Sequence, residues 1–371
     1  MNYPKINKII FFHRKKINTY FSAPIIDLTL NSKIKKILII KWGALGDLII
    51  SSAIMDDISN AFPNAEIHLN TSEEFSFLFS NDKRFSSVWF YKIRKSSSRL
   101  LNNFEWFRTV RKNSYDLIID LQTNDHSRLL LSLIKIFHLG SHIYLLGNHP
   151  VYPYNIKHNN KFTFIHSLDI QQQTISLIGI KPSTNLPVIT ENIEDKNNVI
   201  ALLSKVGLLK KKYVIFIPGS NINGKLKRWG ADNFIILSHL INNRSKEKIV
   251  LIGGPDDKDE CHRIANNNHD IVNLCNLTKL SYLPELFKRA SLIVSNDTGT
   301  AHLTGLSDVP TLLINGPTDP LRVMPIGKNV RAIQADIECK NCYKKTCSHH
   351  SCMVNLTPES ILKIIGEFYN E

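Results

Sequence analysis

The sequence lacks a long uninterrupted apolar run. Its most apolar stretch, residues 129–146, is broken by Lys135, His138 and His142 and falls short of the about 20 apolar residues that a membrane-spanning helix needs. The apolar residues 9–12 are too few for the core of a secretory signal peptide, and no small-residue cleavage site follows them. We therefore expect a cytoplasmic protein without a membrane span of its own.

Acidic residues are scarce relative to basic ones. The 371 residues include 32 Asp and Glu against 46 Lys and Arg, which gives a formal net charge of +14. This excess indicates an anionic partner, which is a nucleic acid, an acidic membrane surface or a phosphorylated substrate. Because the basic residues are spread along the whole chain, the distribution weakens the case for a nucleic acid.

Only six cysteines occur, and four of them lie close together in the sequence: Cys339, Cys342, Cys347 and Cys352. Thiols stay reduced in the cytoplasm, so these residues do not predict a disulfide framework. Their C-x2-C-x4-C-x4-C spacing suits a structural zinc ion, and reduced thiols in a compact loop are the alternative. A catalytic zinc is disfavoured, because it would leave the phosphate-type turns described below without a purpose.

The common nucleotide-binding fingerprints are absent as well. The turn at residues 43–47 joins an apolar strand to a helix, but Leu45 stands where a dinucleotide fingerprint has glycine, and no Gly-Lys-Ser/Thr sequence follows. Gly43 and Gly46 leave room for a substrate against the backbone. Asp47 is interpreted either as a helix N-cap or as a carboxylate general base.

A second turn of the same kind follows the apolar residues 290–294. Thr298, Gly299 and Thr300 stand where the strand gives way to a helix, whose uncovered N–H groups form a site for an anion. Asp297 is expected to cap this helix, and His302 lies one turn along it. The two turns together predict a phosphate-bearing ligand.

The chain alternates strand-like apolar runs with helical patterns. Strands are expected at residues 37–40, 66–69, 87–91, 117–121, 143–146, 213–217, 248–252, 291–294 and 311–314. Helices are expected at residues 47–62, 100–111, 127–138, 166–177, 231–241, 300–306 and 358–368. This order predicts an α/β protein with two doubly wound parallel sheets, which bind ligands beyond the carboxyl ends of their strands.

Three segments are expected along the chain. Residues 33–185 and 186–371 form two Rossmann-like domains, and the second carries the Cys-rich loop 339–352 and the final helix. Residues 1–32 form a basic extension, which is interpreted either as a solvated tail or as a membrane-surface contact. The aromatic and basic residues that suggest the membrane contact are Phe11, Phe12, His13, Arg14, Lys15, Lys16, Tyr20 and Phe21.

These motifs resemble those of the ADP-heptose:lipopolysaccharide heptosyltransferases of glycosyltransferase family 9. The resemblance runs from about residue 35 to residue 368, in the family's order, and rests on residues 36–62, 227–229, 253–254, 296–302 and 315–320. It implies the family's GT-B fold, in which two Rossmann-like domains face a cleft.

The resemblance also implies an activity, namely inverting transfer of heptose from ADP-heptose to the lipopolysaccharide inner core at the cytoplasmic face of the inner membrane. The aspartate matching Asp47 takes the proton of the acceptor hydroxyl, and the lysine matching Lys227 contacts the donor phosphates. The expected donor-site residues are Gly43, Gly46, Ser220, Lys227, Gly253, Asp297, Thr298, Gly299, Thr300 and His302. No cofactor is expected in catalysis, because Lys227 and backbone amides would stabilise the leaving diphosphate.

Two other functions stay open at this point. A family 9 transferase that uses another nucleotide sugar or a protein acceptor would share the motifs. A zinc-stabilised nucleic-acid-binding protein would explain the charge and the cysteines, but the sequence has no base-stacking motif and no concentrated basic face. We therefore expect ADP-heptose, a lipopolysaccharide-core acceptor and an anionic membrane as partners, and no nucleic acid.

Overall fold

The computed structural model describes residues 9–14, 24–91, 99–137, 143–158, 166–210, 212–221 and 224–368. Its internal contacts divide the chain into two compact units. The N-terminal unit is Ile17–Thr190, and the C-terminal unit is Glu191–Glu371 together with Met1–Lys16. The boundary between the two large domains thus falls after Thr190, where the sequence suggested residue 185.

The strands, in chain order, are β1 (Ile9–His13), β2 (Lys36–Ile40), β3 (Glu66–Ser72), β4 (Ser87–Tyr91), β5 (Leu117–Asp120), β6 (Tyr144–Gly147), β7 (Ile156–Lys157), β8 (Tyr213–Ile217), β9 (Lys248–Leu251), β10 (Ile271–Asn273), β11 (Leu292–Asn296), β12 (Thr311–Asn315) and β13 (Val330–Ala335). The α-helices are α1 (Leu45–Ala61), α2 (Arg99–Asn113), α3 (Asp125–Phe137), α4 (Ser167–Ser176), α5 (Ile193–Lys205), α6 (Ala231–Asn242), α7 (Lys258–Asn266), α8 (Leu283–Lys288), α9 (Pro320–Val323), α10 (Ser351–Val354) and α11 (Pro358–Phe368). Short 3-10 helices span Glu73–Leu78, Lys225–Lys227, Pro255–Asp257, Leu280–Tyr282 and Gly299–Leu306.

The N-terminal unit is built on a parallel sheet with the strand order β4-β3-β2-β5-β6-β7. Counted from its first strand this is the Rossmann order 3-2-1-4-5-6, in which the strand order reverses between β2 and β5. Strand β2 is buried along Ile37–Ile40, because a parallel sheet is covered by helices on both faces. Helices α2 and α3 cover one face, where Trp106, Leu130 and Ile134 join β2 and β5 in one apolar core. Helices α1 and α4 pack against each other.

The C-terminal unit repeats this arrangement. Its sheet has the order β1-β13-β12-β11-β8-β9-β10, which is again 3-2-1-4-5-6 from β8 onward, with the reversal between β8 and β11. Helix α11 packs on α6, and both contribute to the apolar core of this unit. The expected helix at 358–368 is thus confirmed residue for residue, whereas the expected helix at 300–306 is a 3-10 helix that begins one residue earlier.

Strand β1 differs from the expected N-terminal extension. It pairs antiparallel with β13, with Ile9 opposite Ala335 and His13 opposite Arg331. Phe12 packs against a small cluster that includes Ala301 and Leu313, while Phe11 is 48% exposed. Residues 9–13 are therefore an edge strand of the C-terminal sheet and not a free tail, whereas Lys15, Lys16, Tyr20 and Phe21 lie outside the described residues.

Among the described residues, no helix is both long enough and apolar enough to cross a bilayer.

Candidate functional sites in the two units

The predicted donor turn of the C-terminal unit lies where its strand order reverses. Asn296, at the end of β11, donates from its side-chain amide to the carbonyl of Pro218 just beyond β8, and its Oδ1 accepts from the Trp229 N–H at 3.2 Å. The Ser220 hydroxyl donates to the carbonyl of Asp297 at 3.5 Å. These bonds bring the segments after β8 and β11 together, so Ser220 and residues 297–300 lie in one place, as the sequence predicted.

Lys227 and Asp297 form an ion pair inside this site. The lysine Nζ lies 2.7 Å from Asp297 Oδ2, and the Thr318 hydroxyl donates to the same oxygen at 2.7 Å. The Asp297 side chain is 6% exposed and that of Lys227 is 30% exposed. The helix cap predicted for Asp297 is wrong, because Thr298 is the N-cap residue and the carboxylate points to Lys227 and Thr318 instead.

The 3-10 helix that follows presents backbone N–H groups at its start. Thr298, Gly299 and Thr300 are half-buried at its start, and the first N–H groups of a helix have no carbonyl partner within it. Together with the N–H donors of the Lys227 ammonium group, whose charge Asp297 balances, they form a turn suited to a phosphate. His302 is buried one turn further along the same helix.

Arg228 is a central residue of this site that the sequence analysis did not single out. Its guanidinium donates to the Ser220 carbonyl at 2.6 Å and to Asp257 Oδ1 at 2.6 Å, and it also pairs with Glu260. Asp257 Oδ2 in turn accepts from the Gly254 N–H at 2.9 Å. Arg228 therefore holds the loops after β8 and β9 in fixed positions. Its place next to Lys227 was the available signal, but its partners lie far away in the sequence.

Gly253, a predicted donor contact, is packed by protein. A Cβ atom there would lie 2.9 Å from the Cβ of Asp257 and 3.0 Å from the Sγ of Cys275. At Gly219 an added Cβ would lie 2.1 Å from the carboxyl carbon of Asp257. Both glycines thus make room for Asp257 and its ion pair with Arg228, and a donor contact at Gly253 stays a prediction.

In the N-terminal unit, Asp47 lies in the first turn of α1 and is exposed. The N-cap residue of this helix is Ala44, which makes no side-chain capping bond, so the N-cap interpretation of Asp47 is wrong. Gly43 has a φ of +148°, a conformation that side chains disfavour, and Gly46 is buried as the second helical residue. The helix begins directly after β2, at the point where the strand order of this sheet reverses.

Lys41, which the sequence analysis passed over, is buried beneath this turn. Its Nζ donates to the carbonyl of Leu121 at 3.1 Å. Burial lowers the pKa of the Lys41 ammonium group, while the carboxylates of Asp47 and Asp120 act in the opposite direction. A buried cation is therefore electrostatically coupled to the predicted catalytic carboxylate.

Side chains at and just after the end of β5 fix the turn that precedes Asp47. Gln122 Oε1 accepts from the N–H groups of Trp42 at 3.0 Å and Gly43 at 3.3 Å. The Asp120 carboxylate accepts from the Gln122 and Thr123 N–H groups at 2.9 Å each, and from the hydroxyls of Ser127 and Tyr154 at 2.7 and 2.6 Å. Burial raises the pKa of Asp120, and these hydrogen bonds oppose that rise. The backbone in front of Asp47 is thus fixed by side chains that no local sequence pattern predicts.

Three of the clustered cysteines lie in the segment between β13 and α10, and Cys352 is the second residue of α10. Cys352 is buried, Cys347 is half-buried, and Cys339 and Cys342 are exposed. Burial, together with the three other thiols, raises the pKa of Cys352 to about 11. Within the described residues, however, no group of three or more His, Cys, Asp or Glu side chains has the geometry of a metal site. A structural zinc ion stays a prediction.

Comparison with known proteins agrees with this architecture. Over 161 residues the chain is 31% identical to lipooligosaccharide heptosyltransferase 2 of Campylobacter jejuni, which covers 41% of the chain and 50% of that protein. The chain thus spans about half the length of this curated relative. The structure of a glycosyl transferase family 9 protein from Veillonella parvula has a TM-score of 0.76 and 18% identity, covering 93% of this chain and 98% of that one.

A third likeness is to the Escherichia coli heptosyltransferase WaaC, solved with ADP-2-deoxy-2-fluoro heptose. Its TM-score is 0.66 at 20% identity, over 90% of this chain and 99% of that chain. The fold is therefore of the GT-B class, with two parallel-sheet α/β domains in one chain. Residues 104–353 match glycosyltransferase family 9 (heptosyltransferase), and the chain belongs to this family.

Proposed function

We propose that the protein is an inverting glycosyltransferase that moves heptose from ADP-heptose to the inner core of lipopolysaccharide. The observation that carries the proposal is the Lys227–Asp297 ion pair beside the open helix start at Thr298–Thr300. A cation and backbone donors at the point where the sheet order reverses suit a nucleotide diphosphate. The WaaC structure was solved with an ADP-heptose analogue, which supports the choice of donor.

The donor phosphates bind in the C-terminal unit in this proposal. As the bond between the anomeric carbon and the diphosphate oxygen breaks, negative charge grows on the departing ADP. The Lys227 ammonium group and the N–H groups of Gly299 and Thr300 are already in place to stabilise that charge. Asp297 holds the lysine through its Oδ2, and the Thr318 hydroxyl donates to the same oxygen and so fixes the carboxylate. No metal ion is needed for this step.

Asp47 of the N-terminal unit acts as the general base. It accepts the proton of the acceptor hydroxyl while that oxygen attacks the anomeric carbon on the face opposite the diphosphate, which inverts the configuration. It lies in the first turn of α1, at the positive end of the helix dipole. Buried Lys41 adds a second positive charge beneath it.

The acceptor is a lipopolysaccharide-core glycolipid, and the protein meets it as a peripheral protein at the cytoplasmic face of the inner membrane. A family 9 transferase with another nucleotide sugar or a protein acceptor is the alternative. The ion pair and the helix start would serve any nucleotide diphosphate sugar, so the choice among donors rests on the relatives.

A thermal-shift comparison of ADP, GDP, UDP and their sugar conjugates tests the donor. We expect ADP and ADP-heptose to raise the melting temperature more than the other nucleotides do, which is the preference that the relatives indicate. Transfer from ADP-heptose to delipidated inner-core acceptor, followed by mass spectrometry, tests the reaction. Stabilisation by UDP or GDP sugars alone, with no transfer from ADP-heptose, would replace this proposal by the alternative family 9 activity.

A further inference from the structure

Helix α3 carries apolar side chains both on the side that faces the core and on its outer side. Leu130, Leu131 and Ile134 fill the core beneath the sheet. Yet Leu129, Ile136 and Phe137 on the outer side are 57%, 62% and 52% exposed. A surface helix of a globular protein usually carries charged or polar residues on that side. The outer side of α3 is therefore unusual for a helix that faces water.

The neighbouring helix α2 continues the same surface. Leu100, Leu101 and Phe104 are 83%, 64% and 63% exposed, although Trp106 and Val110 of the same helix are buried. Phe107 of α2 contacts Phe137 of α3, with ring centroids 6.0 Å apart. The two helices thus present one continuous apolar surface, the α2–α3 outer face, which comprises Leu100, Leu101, Phe104, Leu129, Ile136 and Phe137.

Basic residues border this face. Arg108, Arg111 and Lys112 are exposed on α2, and the Arg111 guanidinium lies 5.7 Å from the centre of the Phe107 ring. On the α3 side, Lys135 Nζ lies 4.8 Å from the centre of the half-exposed Tyr152 ring. Exposed apolar and aromatic side chains beside Lys and Arg are the composition of a surface that lies on an anionic bilayer.

We propose that the α2–α3 outer face is the surface by which this protein lies on an anionic membrane. The inference rests on the proposed function, because a lipid-anchored acceptor requires a transferase that works at a bilayer. Leucine and phenylalanine side chains enter the interface and lose contact with water, while the arginines and lysines pair with lipid phosphates. The net charge of +14 on the whole chain adds long-range attraction between the protein and the anionic membrane.

The charge argues for lipid over a second copy of the chain as the occupant. Two copies meeting through this face would bring two sets of Arg108, Arg111 and Lys112 toward each other, with Glu105 as the one exposed acidic residue of α2 to offset them, which like-charge repulsion disfavours. An anionic lipid surface is complementary to both the apolar and the basic parts. Vesicle binding should therefore depend on both parts, whereas self-association would depend on the apolar part alone.

The test is flotation of the full-length protein with phosphatidylglycerol-containing vesicles and with pure phosphatidylcholine vesicles. The apolar variant is Leu101→Glu with Ile136→Glu. Its matched control is Leu277→Glu with Ile193→Glu in the C-terminal unit, where the two side chains are 64% and 77% exposed. The basic variant is Arg108→Gln with Lys112→Gln, and its control is Arg244→Gln with Lys363→Gln, which are exposed elsewhere.

We expect the apolar variant to lower the partition coefficient on anionic vesicles by about tenfold or more, because two apolar groups are lost and two anions are added. The basic variant should lower it by roughly fivefold for each charge removed. Each control changes the net charge as much as its paired variant but lies away from the face, so it should lower binding far less. All variants should keep the melting temperature of the unmodified protein and its stabilisation by ADP.

Equal loss of binding in the controls, or unchanged binding in the apolar variant, would overturn the assignment of this face. A dimer in sedimentation velocity that the apolar variant dissociates, with vesicle binding unchanged, would overturn it in favour of a second copy. The proposed function is measured separately, by ADP stabilisation and by transfer to delipidated acceptor. If ADP stabilisation and transfer both fail while vesicle binding still depends on the α2–α3 outer face, the proposed function is overturned but the assignment of the membrane surface is not.

Discussion

Lys227 and Asp297 meet at 2.7 Å, and the aspartate oxygen that takes part also accepts the hydroxyl of Thr318 at 2.7 Å. A nearly buried carboxylate would repel a diphosphate unless a cation balanced it. The lysine supplies that balance, and only one of its three N–H donors is needed for the aspartate. The pair thus positions an ammonium group at the helix start before any ligand is present.

The first prediction concerns this lysine. Lys227→Ala should weaken ADP binding by about tenfold or more, because it removes a charge-assisted contact and leaves the Asp297 carboxylate unbalanced. Turnover at saturating donor should fall too, since the leaving-group charge is largest in the transition state. Calorimetry and steady-state kinetics measure the two effects. The control is Lys225→Ala, because Lys225 is an exposed lysine two residues away. Equal effects from both variants would show that Lys227 contributes only to the general surface charge.

The second prediction concerns Asp47. Asp47→Asn should lower turnover by about 10²-fold or more and leave ADP affinity unchanged, because the base acts on the acceptor and not on the donor. The melting temperature should fall only slightly, since Ala44 and not Asp47 is the N-cap residue and only the attraction of the exposed carboxylate to Lys41 and the helix dipole is lost. Asp125→Asn, in the first turn of α3, controls for loss of an acidic residue at a helix start. Normal turnover in Asp47→Asn would show that Asp47 is not the general base.

The parallel strands were accessible from the sequence because a strand buried on both faces is a short apolar run such as residues 37–40 or 213–217. The 3.6-residue periodicity likewise gave α11 its correct ends. Strand β1 escaped prediction because its partner β13 lies more than 300 residues away, as the His13–Val330 contact across 317 positions shows. The roles of Lys41 and Arg228 escaped for the same reason, since their partners come from other loops. The motifs marked both turns, but only tertiary contacts show what holds the turns in place, and their roles as binding sites stay a prediction.

The third prediction is a pH dependence due to Lys41. Its pKa in the folded protein lies below the usual 10.5 because it is buried. At a pH between the lowered pKa of Lys41 in the folded protein and its usual value of 10.5, Lys41 is protonated in the unfolded chain and neutral in the folded one. The unfolded chain then binds one more proton, so the free energy of unfolding rises with pH in that range. Unfolding by urea from neutral pH toward pH 10.5 should therefore show the unmodified protein gaining stability relative to Lys41→Met. A difference between the two proteins that does not change with pH would mean that Lys41 titrates as if exposed.

The fourth prediction concerns the cysteine loop. If Cys339, Cys342, Cys347 and Cys352 hold a structural metal ion, protein purified under reducing conditions should contain about one equivalent of zinc or iron. Removal of the ion by a chelator, or Cys342→Ser, should then lower the melting temperature more than it changes ADP affinity. Thr346→Ala, at an exposed position between the cysteines, controls for a substitution in this segment. Metal-free protein with an unchanged melting temperature in Cys342→Ser would identify the four residues as reduced thiols.

The fifth prediction separates a docked N-terminal strand from a free tail. Phe12 packs against the cluster of Ala301, Leu313, Met324, Val330 and Ala332, whereas Phe11, its neighbour on the opposite side of β1, is about half exposed. Phe12→Ala should therefore lower the free energy of unfolding by about 1–3 kcal/mol, less than for a fully buried phenylalanine, and Phe11→Ala by less than about 0.5 kcal/mol. Urea unfolding of the two full-length variants gives both values. A free tail would make the two substitutions equivalent, because neither ring would then lose a packed environment. Because Ala301 lies in the first turn of the helix at the donor turn, Phe12→Ala should also weaken ADP binding slightly more than Phe11→Ala does.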